Sequence, residues 1–416
     1  MGQPISIVKE LWSELEEVIR EGGRRLIQSV LEEEVNCWIE SMAHICDEKG
    51  KKLIRRNGYM PTRAISTGLG PIQVKQPRAR NTPEHKFTSD ILPKYMRRVP
   101  SLDNLIPVLY LKGLSTSAFP EALEAIIVPN AKGFSAKSVE RLKEKWVTEF
   151  EEWSKRRLDL KKYVYVWADG IHFNVRLGDK ENKRMCFLVL LGSTVEGKKE
   201  LIAVLDGYRE SKASWLELLR DLHNRGLKFA PKLAIGDGAL GFWAAVGEVW
   251  PETKEQRCWV HKTANVLDKM PKSVQAKAKK RIHDIYLAET KKEAEDSWAK
   301  FFELYEDKYP KACACLAKDK EVLLSFYSFP AANWVHIRTT NPIESTFATV
   351  RHRSKRTKGC GSRTTTLTMV FKLCQEAEKK WRRLRGYKHL GNVVRGIRFR
   401  DGYTEKEWKE RKKLAA

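Results

Sequence analysis

The stretch 163–175 constrains the fold more than any other. The run Tyr163-Val-Tyr-Val-Trp-Ala-Asp169-Gly, continued by Ile171-His-Phe-Asn-Val-Arg, is dominated by aromatic and β-branched residues, which favour a pleated, half-buried strand. Its period of two places Tyr163, Tyr165, Trp167 and Asp169 on one face. Aspartate is disfavoured inside such a strand. An Asp-Gly step often makes a hairpin turn, but here the strand pattern continues beyond it. Asp169 therefore reads as a ligand held by a strand rather than as a turn residue.

The order of elements after this strand sets the fold class. Residues 186–193 and 199–205 read as two more strands, 211–226 as a helix, 232–235 as a strand and 241–250 as a helix. A fifth short strand, 255–260, runs into a helix reaching Met270. Three strands in succession, then alternating helices and strands, suit a mixed five-stranded sheet with helices on both faces. Residues 271–335 break the alternation. Ala276, Ile282, Ile285, Tyr286, Trp298, Phe301, Phe302 and Tyr305 supply apolar helical faces there, which predicts an all-helical insertion.

The first 155 residues are of another texture. Residues 5–46 carry Ile7, Leu11, Leu15, Val18 and Ile19 at helical spacing. A turn at Arg55-Arg-Asn-Gly-Tyr precedes a short basic hairpin near Gly68-Leu-Gly-Pro, and 80–100 reads as a linker. Helices at 102–111, 115–127 and 135–153 with tight turns between them predict a helix-turn-helix. In the third, Lys137, Arg141 and Lys145 recur every four residues and line one face beside Ser138. The domain reading is 1–100, 101–155, 160–270, 271–335, 336–400 and a tail at 401–416.

Two further acids share the setting of Asp169. Asp237 ends the apolar run Leu233-Ala-Ile-Gly, on a strand that in a mixed sheet can lie beside the first. Asp206, in Leu205-Asp-Gly-Tyr, is a similar strand-end competitor; the helix after Asp237 favours Asp237. Glu344 opens a helix at Asn341-Pro-Ile-Glu344-Ser. With Asn341 as N-cap and Pro342 first, it occupies the capping-box position, which need not exclude a second role. Ile343, Phe347 and Val350 form the buried stripe, and Glu344, Arg351 and Lys355 an adjacent face. Two strand-end aspartates and a helical glutamate are what a metal-dependent nuclease or DNA strand-transfer enzyme requires. Mg²⁺ takes hard oxygen ligands, and two ions about 4 Å apart can serve both the attacking and the leaving oxygen at phosphorus. Cys258-Trp-Val-His261 has the spacing of half a zinc site. His283, Cys313 and Cys315 do not complete it convincingly, so support of the active site is the favoured role.

Charge narrows the partner. The chain carries 78 Lys and Arg against 53 Asp and Glu, a net +25. From Arg351 to Arg400 there are sixteen basic residues against Glu376 and Glu378. So one-sided a surplus indicates a polyanion. No run reaches the ~18 apolar residues of a membrane span, no signal-peptide pattern opens the chain, and eight scattered cysteines without a CxxC pair suit a reducing cytosol.

Taken together these residues resemble the Mutator-like bacterial insertion-sequence transposases of the DDE, ribonuclease-H-like superfamily. The resemblance runs through Arg56-Asn-Gly-Tyr, Leu111-Lys-Gly-Leu-Ser-Thr, Trp167-Ala-Asp169-Gly, Gly236-Asp237-Gly-Ala-Leu-Gly-Phe, Cys258-Trp-Val-His261 and Asn341-Pro-Ile-Glu344-Ser. It implies Asp169, Asp237 and Glu344 as catalytic ligands of two Mg²⁺ or Mn²⁺ ions, and Cys258 and His261 as the C/DxxH signature near the site. It implies a basic segment after the glutamate at Arg351, Arg353, Lys355, Arg356 and Lys358, with Lys137 and Arg141 as further DNA contacts. The expected partners are double-stranded DNA, as terminal inverted repeats and target, and a second copy of the chain, in the bacterial cytoplasm at the nucleoid. The run before Asp169 is more aromatic than usual for the family.

Overall fold

The structure is a computed structural model and describes residues 4–68, 70–112, 114, 136–174, 184–207, 210–356 and 362–414. The chain divides into two compact units, Met1–Leu142 and Lys143–Ala416.

The first unit opens with a long helix, α1 (Pro4–Ser41). After it come two antiparallel pairs: β1 (Arg56–Tyr59) with β4 (Pro77–Ala79), and β2 (Arg63–Thr67) with β3 (Gly70–Val74). The β2–β3 pair is the hairpin foreseen in the sequence. Ile65, Ile72 and Val74 bury one face of it against Leu31 of α1 and Leu92. The stretch 80–100, read as a linker, is tied down: Ser66 bridges Arg98, and the Val99 amide donates to the Ser66 carbonyl at 3.0 Å. Next comes α2 (Pro100–Leu111), with proline in its first turn, where a missing N–H costs nothing. The middle helix of the expected helix-turn-helix lies outside the described residues. The third helix is α3 (Ala136–Ser154), and the unit boundary falls inside it. Its C-terminal half belongs to the second unit, where Phe150 and Trp153 pack on Phe371 at 5.2 and 4.7 Å between ring centroids.

The second unit is built on a five-stranded sheet of β5 (Tyr163–Asn174), β6 (Arg184–Thr194), β7 (Lys199–Gly207), β8 (Leu233–Gly236) and β9 (Lys254–Arg257), in the order β7-β6-β5-β8-β9. β6 runs antiparallel to β5 and β7, while β8 is parallel to β5 and β9 to β8. Val166, Ala168, Leu188 and Leu190 bury one face under α4 (Lys212–Asn224) and α5 (Leu240–Val249), through Trp215, Leu219, Phe242 and Val246. Tyr165 and Trp167 face the other way. The Tyr165 hydroxyl donates to Asn333 Oδ1 and the Trp167 indole to the His336 carbonyl, each at 3.0 Å. The alternation read from the sequence thus divides the two layers from Tyr165 onward; Tyr163 is the exception, because a bulge between it and Tyr165 turns it into the layer of Val166 and Ala168.

The fifth strand is shorter than expected. Cys258 donates the last strand-like bond, to the Gly236 carbonyl at 2.8 Å, and the chain then leaves the sheet. The Trp259 amide donates to the Arg338 carbonyl and its indole to the Leu323 carbonyl, so residues 259–260 open helix α6 (Trp259–Leu267) instead of ending a strand. The insertion is helical as foreseen: α7 (Lys272–Leu287), α8 (Lys291–Tyr305) and α9 (Pro310–Ala317), then short turns to residue 337. Ala278, not Ala276, faces its interior. The chain continues through α10 (Asn341–Arg356) and α11 (Arg363–Glu378). No described helix is long and apolar enough to cross a membrane.

Candidate active site

Strand direction assembles the site. β5, β7, β8 and β9 all run the same way, so their carboxyl ends face one edge of the sheet. The pairing of Tyr165 with Leu233, Val166 with Ala234 and Trp167 with Ile235 carries, two residues on, to Asp169 beside Asp237. Cys258 directly follows β9, and Glu210 lies three residues past the end of β7. Between β5 and β8 the order of strands reverses, and at such a switch point the chain leaves a crevice.

Asp169 is 8% exposed. Its Oδ1 accepts the Gly170 amide at 2.8 Å. Burial, with the charge of Asp237 next, pushes its carboxyl up to about 7, because an anion loses its hydration here and meets a like charge. Asp237 Oδ1 accepts the Ala239 amide at 2.9 Å. That turn needs Gly238: its φ is +97°, and a Cβ there would lie 2.4 Å from the Arg257 guanidinium. Asp206 has a different fate. It pairs with Arg363 and lies on edge strand β7, apart from the β5–β8 junction.

Glu344 comes from the opposite layer, on α10, whose Ile343, Phe347 and Val350 are buried as foreseen. The helix starts one residue earlier than Asn341 capping would give: the Glu344 amide donates to the Thr340 carbonyl at 3.0 Å. The capping box is not formed. Instead the Thr340 hydroxyl donates to Glu344 Oε1 at 2.6 Å. Thr340 is also 3.3 Å from Cys258 Sγ through both its amide and its hydroxyl, and 3.4 Å from His261 Nδ1. His261 Nδ1 lies 3.6 Å from Glu344 Oε1. The hydrogen bond with Cys258 raises His261 to about 9 against the opposing effect of burial, and Asp169 and Glu344 add to the rise. Burial pushes the Cys258 thiol up, but His261 and Thr340 outweigh it and hold the thiol below its ordinary value. Cys258 and His261 are thus drawn into one polar network with Glu344 and Asp169. The sulfur, imidazole and carboxylate ligand atoms of Cys258, His261 and Glu344 lie within 4.8 Å of one another.

Glu210 was not foreseen. It is half-buried, and burial, then Asp237, pushes its carboxyl up to about 7 while His261 opposes. It rests on Gly170, where an added Cβ would lie 1.5 Å from its Oε1. The signal was present: an acid between the third strand and the Ser211 N-cap of α4, at a strand end that the fold brings to the same edge.

Of the basic residues singled out, Lys137 and Arg141 are exposed on α3. Arg351 is exposed on α10, with its guanidinium 5.9 Å from the Phe347 ring. Arg353, Lys355 and Arg356 lie on α10, without described side chains. Lys358 lies outside the described residues.

Fold and site together define an α/β protein that gathers carboxylates at the carboxyl ends of its strands. Residues 6–384 match the family described as "Transposase, Mutator family", and the chain belongs to that family: it is a DNA transposase. It is 50% identical to the transposase for insertion sequence element IST2 of Acidithiobacillus ferrooxidans, over 68% of this chain and 94% of that one. It is likewise 50% identical to the transposase for insertion sequence element IS6120 of Mycolicibacterium smegmatis, over 72% and 92%. Among solved structures it is similar to the Drosophila P element transposase strand transfer complex at a TM-score of 0.28 and 9% identity, over 69% of this chain and 83% of that one, a likeness too loose to carry an argument.

Proposed function

We propose that the second unit is a ribonuclease-H-like catalytic domain and that Asp169, Asp237 and Glu344 are its DDE carboxylates. One observation carries the reading: the β5–β8 register sets Asp169 beside Asp237, and His261 ties Glu344 to the same cluster. The residues fit divalent cations. Two aspartates share a buried edge at an electrostatic cost, all donors are hard oxygens, and each acid uses one oxygen to accept Gly170, Ala239 or Thr340. Among the described residues, each second oxygen has no protein donor. Bound there, two Mg²⁺ or Mn²⁺ ions would lower the pKa of an attacking water and polarise the phosphate.

The chain supplies position. Gly170, Ala239 and Thr340 fix the carboxylates before substrate arrives, so little reorganisation remains for the reaction. The reaction in this reading is hydrolysis at the element end, releasing a 3′-hydroxyl. That hydroxyl then attacks target DNA directly, exchanging one phosphodiester bond for another without a covalent protein intermediate. Terminal inverted repeats would be held by the N-terminal region, with Lys137 and Arg141 of a helix-turn-helix, and DNA beside the site by Arg351, Arg353, Lys355, Arg356 and Lys358. Two ends must be held at once, which calls for a homo-oligomer.

The test is strand transfer with labelled element ends and a plasmid target, in Mg²⁺ or Mn²⁺, for wild type, Asp169→Asn, Asp237→Asn and Glu344→Gln. Joined products from wild type alone are expected. Cleavage without joining would overturn the strand-transfer step and favour hydrolysis alone. DNA binding with no reaction in any of the four would overturn the catalytic assignment and favour an inactive, DNA-binding copy or the need for a further partner.

A further inference from the structure

The first unit holds a second concentration of charge, ahead of α3 in the chain. Residues 51–98 carry twelve Lys and Arg against Glu84 and Asp90. The fold sorts these cations. In β4, Pro77 and Ala79 are buried while Arg78 and the adjoining Arg80 are exposed, so strand alternation turns both guanidinium groups to one side. The ladder holds them there: the Arg80 amide donates to the Arg55 carbonyl at 2.7 Å, and the Met60 amide to the Gln76 carbonyl at 2.8 Å.

The segment 81–94 folds back to bound an open cleft of about 670 Å³, lined by Arg63, Arg78, Arg80, Lys86 and Lys94 and by no acid. Met60 and Phe87 add apolar surface. Two of the nearby acids are engaged, while Glu84 and Asp90, exposed on the segment 81–94, stay outside the lining. Glu32 pairs with Arg56 at 2.8 Å, and Glu34 accepts the Ser89 hydroxyl and the Asp90 and Ile91 amides. Arg63 forms the floor, donating to Gln76 Oε1 and to the Leu92 and Pro93 carbonyls. Among the described residues no carboxylate pairs with Arg78, Arg80, Lys86 or Lys94. Four exposed cations without a paired carboxylate bind a polyanion by releasing its counterions.

We infer that this cradle grips the sugar-phosphate backbone of element-end DNA, independently of base sequence. The inference rests on the reading that the N-terminal region holds that DNA. It assigns affinity to the cradle between the β1–β4 pair and the segment 81–94 and leaves sequence choice to other residues.

Full-length wild type, Arg78→Gln/Arg80→Gln and Lys86→Gln/Lys94→Gln are titrated by fluorescence anisotropy against an element-end duplex and an unrelated duplex. Lys277→Gln/Lys280→Gln, exposed on α7, controls for net charge. Across about 50 to 300 mM salt, each cradle variant should lose roughly 10-fold in affinity on both duplexes, with a salt slope shallower by about two. The control should keep wild-type affinity and slope. Unchanged binding by the cradle variants, or an equal loss in the control, would overturn the cradle while leaving the N-terminal reading standing. Loss on the element-end duplex alone would also overturn it, since a backbone grip does not discriminate sequence. Wild type that binds neither duplex would remove the underlying reading first, and the cradle with it.

Discussion

Replacing Asp169 by asparagine should stabilise the metal-free protein. The carboxyl is pushed from 3.8 to about 7, by burial first and by Asp237 second. At about 1.4 kcal/mol per pH unit, that sets a ceiling of roughly 4 kcal/mol on what the ionised group costs the folded state. Local relaxation and water reduce it, so a gain of about 1 to 3 kcal/mol is expected. Asparagine keeps an oxygen for the Gly170 amide and loses only the charge. The folded value lies above the unfolded one, so the native state holds the proton more tightly. The cost is therefore complete above about 7, shrinks as the pH falls toward 3.8, and vanishes below that. Urea unfolding with a chelator, monitored by tryptophan fluorescence, measures it; eleven of the thirteen tryptophans lie in the second unit. At pH ~8 the variant's midpoint should rise by about 0.5 M, and by pH ~4.5 most of the difference should be gone. Added Mg²⁺ should stabilise wild type more than the variant and narrow the gap. A variant no more stable than wild type at pH ~8, or a gap that ignores pH, would refute the argument that this edge holds acids at a cost.

The contacts around this edge and the buried ion pairs behind it lead to three further predictions. Thr340→Val removes the hydroxyl that orients Glu344 and should lower strand transfer roughly 10-fold while costing only about 1 kcal/mol in unfolding, with Thr340→Ser restoring most of the rate. Asp319→Ala strips the buried Lys262 and its neighbour Arg257 of their shared partner and should cost about 3 to 5 kcal/mol in urea unfolding; Asp319→Ala with Lys262→Met should recover part of it. Glu210→Gln should raise apo stability in the same direction as Asp169→Asn and reduce strand transfer, and wild-type transfer in that variant would take Glu210 out of the site.

What the sequence showed and what it hid have the same physical cause. Asp169 was legible because a strand has a two-residue period: a charged residue on the face of Tyr165 and Trp167 needs a reason that local chemistry does not supply. Asp237 was legible as a strand end, but its place beside Asp169 depended on the fourth strand pairing with the first, which no local pattern encodes. Glu210 was missed on that ground. It stands in a polar loop before an ordinary N-cap and gains meaning only when β7 runs parallel to β5 and delivers its end to the same edge. The start of α10 failed for a local reason. Asn341 and Thr340 are both good caps, and Thr340 prevails because its hydroxyl meets Glu344, Cys258 and His261, two of which come from a distant stretch of chain. The early end of β9 has its origin in the same region, since Trp259 is drawn from the sheet by the carbonyls of Leu323 and Arg338. Periodicity therefore identified the residues that belong to each layer, while the junctions between layers, where the proposed chemistry sits, were set by long-range partners that only the strand order brings together.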